Sequence, residues 1–209
     1  MGLVEELKMG IKMSDIGQSC PDVLKVYLKD YSLKLNASEI SREIKVERRT
    51  VSRILNKLVK IGLMDFSISG KNKLFYFDLK KMESFSLLSL IELNNSINFN
   101  LRNKGISLII SKLLSCSEGV IVFGSYASLK NKKNSDLDVV LLGKVDLEKV
   151  KKIKKLSSVE VNEQVVSYSE FGKILKKKNP LAIEISRNHV LFGNFSPIIK
   201  IFLGDKIHG

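Results

Sequence analysis

The stretch VIVFGSYASLKNKKNSDLDVVLL, Val120 to Leu142, decides the fold of the second half of the chain. Two apolar runs, GVIVFG (119–124) and LDVVLLG (137–143), read as short buried strands. The polar loop between them opens on Gly124-Ser125 and closes on Asp136-Leu137-Asp138. Gly124 at a strand end permits a tight turn and lets a phosphate approach the backbone. Ser125 adds a hydroxyl donor, and if SYASL begins a helix its free N–H groups form an anion site. Side chains alternate across a strand, so Asp136 and Asp138 point to one face. Such a pair can hold Mg²⁺, which binds through one or two carboxylates plus substrate phosphates. The phosphate cradle and the metal ligands then form one device split by a loop.

The 209-residue chain has room for one large domain or two small ones. Its 44% apolar fraction is that of an ordinary globular protein. No apolar run approaches the roughly 18 residues of a transmembrane helix. MGLVEELKMGIKMSD, with early acids and no long apolar core, makes a poor signal peptide. Cys20 and Cys116 have neither metal-ligand spacing nor a disulfide framework, so a reduced cytoplasmic protein is expected. The net charge of +13 favours anionic partners such as nucleic acid or nucleotides. Solvated helix faces account equally well for that charge taken alone, and are the favoured reading of the Lys clusters at 149–155 and 173–178, which sit in amphipathic helical patterns.

In the first half, Val23, Leu24, Tyr27, Leu28 and Tyr31 recur at helical spacing over Asp22 to Ser32. NASEISREI (36–44) begins a second helix capped by Asn36 or Ser38. Val51, Ile54, Leu55, Leu58 and Ile61 form the buried stripe of a third, with Gly62 at its C-terminal end. LMDFSI and KLFYFDL around SGKN signal a hairpin. Three helices and a hairpin over residues 20–80 resemble the winged helix-turn-helix family. The resemblance implies DNA binding by a recognition face of Arg48, Arg49, Ser52, Arg53, Asn56 and Lys57. Lys71 and Lys73 on the wing would meet the phosphate backbone. Protein binding or dimerisation is the other use of such a module. Residues 81–118 read as two helices, the first linking or dimerising the domains. Its Leu87, Leu88, Leu90, Ile91 and Leu93 read as core or as a dimer seam.

Gly124-Ser125-Tyr126-Ala127-Ser128-Leu129, five residues, then Ser135-Asp136-Leu137-Asp138 resembles the motif of the DNA polymerase β-like nucleotidyltransferase superfamily, in its minimal branch. Leu129 stands where that pattern has Gly, and since Leu disfavours positive φ a reshaped loop is expected. Residues 146–193 look like helix, strand, helix, strand, and the resemblance covers roughly residues 100–195. It implies an α/β fold with a mixed β-sheet flanked by helices. Three segments are expected: a winged helix-turn-helix domain over 1–80, a helical linker over 81–100 and a nucleotidyltransferase domain over 101–209.

The resemblance further implies transfer of a nucleoside monophosphate from an NTP such as ATP, with release of pyrophosphate. Gly124, Ser125 and Ser135 would bind the nucleotide, and Asp136 and Asp138 two Mg²⁺ ions. Glu160 is the candidate third carboxylate and base toward the acceptor, a surface Glu at a strand entrance being the alternative. Asn162 and Gln164 share its face, while Glu163 points the other way. His189 and His208 have no metal-spaced partner and read as structural or incidental. Tyr126 reads as core rather than a base-stacking residue. The minimal branch is associated with toxin–antitoxin operons, which implies a partner protein or RNA as acceptor and a self-regulating homodimer on DNA, with no membrane. A transcriptional regulator with a nucleotide-sensing or inactive transferase fold is the alternative, and an RNA-binding adaptor rests on net charge alone.

Overall fold

The computed structural model describes residues 20–204, which fall into two units. The first holds residues up to 26 and 34–78, the second 27–33 and 79 onward. The first unit comprises helices α1 (Cys20–Lys25), α2 (Ala37–Ile44) and α3 (Arg48–Lys60), then the antiparallel pair β1 (Asp65–Ser69) and β2 (Asn72–Tyr76). Asn36 caps α2 by accepting from the N–H groups of Ser38 and Glu39, and Glu39 returns the bond to the Asn36 N–H. Val51, Ile54, Leu55 and Leu58 are the buried stripe of α3. Gly62 follows the C-cap Ile61 at φ +77°, the left-handed turn that stops a helix.

The helix expected from Asp22 to Ser32 is shorter. It leaves α-geometry after Lys25, passes through a 3₁₀ turn (Val26–Lys29) and ends at Asp30. Asp30 Oδ1 accepts from the N–H and the hydroxyl of Ser32, a local bond that competes with continuing the helix.

The second unit is built on a four-stranded sheet in the order β5-β4-β3-β6. Its strands are β3 (Gly119–Val122), β4 (Leu137–Leu142), β5 (Val161–Val166) and β6 (Val190–Gly193). β3 runs antiparallel to β4 and β6, and β4 parallel to β5, so the sheet is mixed. Its helices are α4 (Met82–Arg102), α5 (Lys104–Leu114), the single turn α6 (Gly124–Ala127) and α7 (Leu147–Leu156). α8 (Tyr168–Lys176), α9 (Pro180–Arg187) and α10 (Phe195–Leu203) complete the set. One sheet face, through Val120, Val122, Val139, Leu141 and Val190, shares a core with Ile106, Ile110 and Leu113 of α5 and Val150 of α7. The single helix expected before β6 is two. Pro180 cannot continue a helix, and it opens α9 behind Asn179, whose side chain accepts from the N–H groups of Leu181 and Ala182.

α4 clusters with the sheet of this unit. Leu87, Leu88, Ile91 and Phe99 are buried, whereas Leu90 and Leu93 face outward. The Asn-rich middle of α4 covers an exposed strand edge. Among the described residues β6 pairs with β3 alone, so its outer carbonyls need donors. Asn95 Nδ2 donates to the His189 carbonyl at 3.3 Å, and the Ser96 hydroxyl donates to the Leu191 carbonyl. Cys20 and Cys116 are buried free thiols, and burial pushes Cys20 up to about 11. No helix among the described residues is long and apolar enough to cross a membrane.

Candidate active site

β3 leads into Gly124 just past its C-terminal end and β4 brings Asp138 alongside it, the Phe123 N–H donating to the Asp138 carbonyl at 3.1 Å. Gly124 sits at φ +67°, and a Cβ there would lie 2.3 Å from Asp138 Oδ2. Glycine is therefore required twice, by the backbone conformation and by the carboxylate packed over it. The turn α6 closes on Gly124, whose carbonyl accepts from the N–H and hydroxyl of Ser128 at 3.0 and 2.9 Å. Ser125 Oγ is buried and has no hydrogen-bond partner among the described residues. A buried hydroxyl in that state costs about 1–3 kcal/mol.

The parallel pairing of β4 and β5 sets Asn162 beside Asp138. Asn162 Nδ2 donates to Asp136 Oδ2 at 2.7 Å and to Asp138 Oδ1 at 3.3 Å, so one amide holds both carboxylates on one face. The backbone of Glu160 lies one step before the first register pair, where its carbonyl accepts from the Leu137 N–H at 2.8 Å. Its side chain is exposed, and no group of three or more His, Cys, Asp or Glu among the described residues is arranged to hold a metal ion. Glu163 turns to the opposite face and pairs with Lys154 of α7. Two carboxylates and a buried unpartnered hydroxyl are hard oxygen groups, a donor set that suits Mg²⁺ completed by phosphate oxygens.

Ser135 shapes the loop. Its hydroxyl accepts from the Lys132 N–H at 2.8 Å, and its own N–H donates to the Lys132 carbonyl at 3.1 Å. Tyr126 is buried in the core and sends its hydroxyl to the Ser135 carbonyl at 3.4 Å. Leu129 departs from expectation: it adopts φ +59°, so the loop keeps the left-handed residue without a glycine to supply it. That conformation costs an L-residue about 1–2 kcal/mol, and the side chain is 54% exposed. Leu129→Gly is therefore expected to shift stability by less than about 1 kcal/mol, relief of strain offsetting lost packing and added chain entropy. Thermal denaturation of the variant checks this, and a loss above about 2 kcal/mol would show that the leucine side chain anchors the loop.

In the first unit, Arg48, Arg49, Arg53, Asn56 and Lys57 lie exposed along α3, with Ser52 half-buried among them. Asn56 Nδ2 donates to the Ser52 carbonyl at 2.8 Å, and Lys73 donates to Asn56 Oδ1 at 2.6 Å. The Lys73 ammonium also lies 3.9 Å from the Phe66 ring centroid. Lys73 is thus folded back onto α3, and Lys71 beside the Gly70 turn is the exposed lysine of the hairpin tip.

Sequence reasoning missed a buried polar cluster in the second unit. Glu92 of α4 is fully buried; its Oε1 accepts from the Tyr31 hydroxyl at 2.5 Å and lies 2.9 Å from His189 Nε2. The one signal available was an acid inside the apolar run LLSLIEL.

No curated protein and no solved structure matches the chain. The family model described as nucleotidyltransferase domain matches residues 104–199, which span the sheet, the Gly124-Ser125 turn and the paired carboxylates. Over these residues the second unit is similar to the nucleotidyltransferase domain family.

Proposed function

We propose that the protein transfers a nucleoside monophosphate from an NTP to a protein or RNA acceptor and binds DNA through its first unit. The observation that carries the transfer is the gathering of Asp136 and Asp138 under one amide, beside a glycine cradle with an unpartnered serine hydroxyl. Asp136 and Asp138 would hold Mg²⁺, which supplies charge neutralisation for the triphosphate. Ser125 Oγ and the backbone N–H groups of the turn that Gly124 opens would receive phosphate oxygens. Asn162 would fix the carboxylates before substrate arrives, so that positioning costs nothing at the moment of reaction. Glu160, the register neighbour of Asp136, would take the acceptor proton. The exposed arginines of α3 support contact with DNA, Arg48, Arg49 and Arg53 at base edges or phosphates and Lys71 on the backbone. The outward Leu90, Leu93 and Ile97 of α4 support pairing of two copies.

A second reading has one observation in its favour. An amide, Asn162, occupies the β5 position that touches both carboxylates. A site limited to two carboxylates also suits a regulator that senses nucleotide without turning it over. Incubation with each α-labelled NTP and Mg²⁺, with and without host RNA and protein, separates the two. Label on protein or RNA that disappears in Asp136→Ala/Asp138→Ala is the expected result. Nucleotide binding with no label transfer to any acceptor would replace transfer by sensing.

A further inference from the structure

A cavity of about 410 Å³ lies in the second unit, away from the paired carboxylates, and neither Asp136, Asp138 nor Asn162 lines it. Its size is within the range of small-molecule sites. One wall is aromatic: Tyr31 and Phe202 have ring centroids 6.1 Å apart at 56°. Ile183 and Leu28 extend the apolar surface. The rim is cationic. Lys178 and Arg187 are exposed and have no ion-pair or hydrogen-bond partner among the described residues. Lys29 adds a third positive charge, and the one carboxylate of the lining, Asp30, spends Oδ1 on Ser32.

Behind the aromatic wall stands the polar cluster. Burying a carboxylate completely is a poor way to gain stability, since well-packed apolar residues of similar volume do as well or better. Here Glu92 is buried without exposure, its Oε2 has no partner among the described residues, and it fixes the Tyr31 hydroxyl. His189 is oriented from its other side, Nδ1 lying 3.1 Å from the carbonyls of Ile185 and Ser186. Burial and the Glu92 carboxylate hold the Tyr31 phenol well above its ordinary range, so it stays neutral and remains a donor. The outcome is an aromatic wall of Phe202 and the nearly buried Tyr31 under the exposed cations Lys178 and Arg187.

We propose that this cavity binds a small phosphate-bearing aromatic molecule of the nucleoside monophosphate class. The ring would lie against Tyr31 and Phe202, and the phosphate would meet Arg187 and Lys178. A guanidinium fork matches two phosphate oxygens, and a lysine adds a point charge. The site stands independently of the transferase reading, because it uses none of the transferase residues.

The test is a titration of the full chain, methyl-labelled at Ile and Leu, with 5′-AMP followed by NMR. The Ile183 and Leu28 methyls should move saturably, and Arg187→Ala should weaken binding about tenfold. Adenosine and inorganic phosphate, each offering half of the ligand, should each bind more weakly than AMP. Ser125→Ala should leave the Ile183 response intact. The proposal is overturned if these methyls do not respond to millimolar AMP. It is equally overturned if Arg187→Ala and Lys178→Ala both leave the affinity unchanged, or if Ser125→Ala abolishes the response, which would trace it to the transferase site.

Discussion

Asp138→Asn is expected to lower nucleotidyl transfer by about a thousandfold or more while the fold survives. The residue sits in β4 with its carbonyl bonded to the Phe123 N–H, and its side chain covers Gly124. An amide has the same shape, so packing over the glycine is kept. The negative charge is what disappears. The exchange also sets an amide against Asn162, which donates to this carboxylate in the native protein. The measurement is single-turnover transfer from a labelled NTP, beside thermal denaturation. A Tm within about 2 °C of wild type would show that the loss is chemical rather than structural. Full transfer in a folded Asp138→Asn protein would end the assignment of this pair to the reaction.

The pair was legible in the sequence because its geometry is local. A strand, a loop and a strand place Gly124-Ser125 opposite Asp136-x-Asp138 with few degrees of freedom, and alternation fixes the shared face. Asn162 was legible only in part. Its face follows from the period of β5, but its contact with both carboxylates depends on the β4–β5 register, which no local pattern encodes. Ser135 and Leu129 show the reverse limit. Both lie in the expected motif, yet the Ser135 hydroxyl is engaged by the loop itself and Leu129 accepts a backbone conformation its type disfavours.

The helices were legible where an apolar stripe and a cap coincide, as in α2 with Asn36 and α3 with Gly62. They were not where polar side chains do structural work at long range. The Asn-rich segment of α4 reads as a weak helix, because Asn ordinarily competes with the helical backbone. In the folded unit Asn95 and Ser96 instead satisfy the free edge of β6. The Glu92 cluster is the extreme case. Its members are separated by 61, 97 and 158 residues, and no spacing rule connects them.

His189→Leu is expected to destabilise the second unit by about 3–5 kcal/mol, the cost of removing one partner from a buried charge. Glu92 has no water to turn to: its side chain is fully buried, Oε2 is already unpartnered, and Oε1 depends on Tyr31 and His189. Lost packing adds to the effect, for the His189 ring lies 4.6 Å from that of Phe202. The double variant Glu92→Met/His189→Leu separates the terms. It removes the carboxylate as well, and should recover most of the loss, leaving the Tyr31 hydroxyl short of its acceptor and the Ile185 and Ser186 carbonyls without the imidazole. Hydrogen exchange at α4 amides under urea reads the second unit separately from the first. If the double variant is no more stable than His189→Leu alone, packing rather than an abandoned charge sets the cost. If His189→Leu costs less than about 1 kcal/mol, the imidazole is not what sustains the buried carboxyl and the Tyr31 hydroxyl suffices.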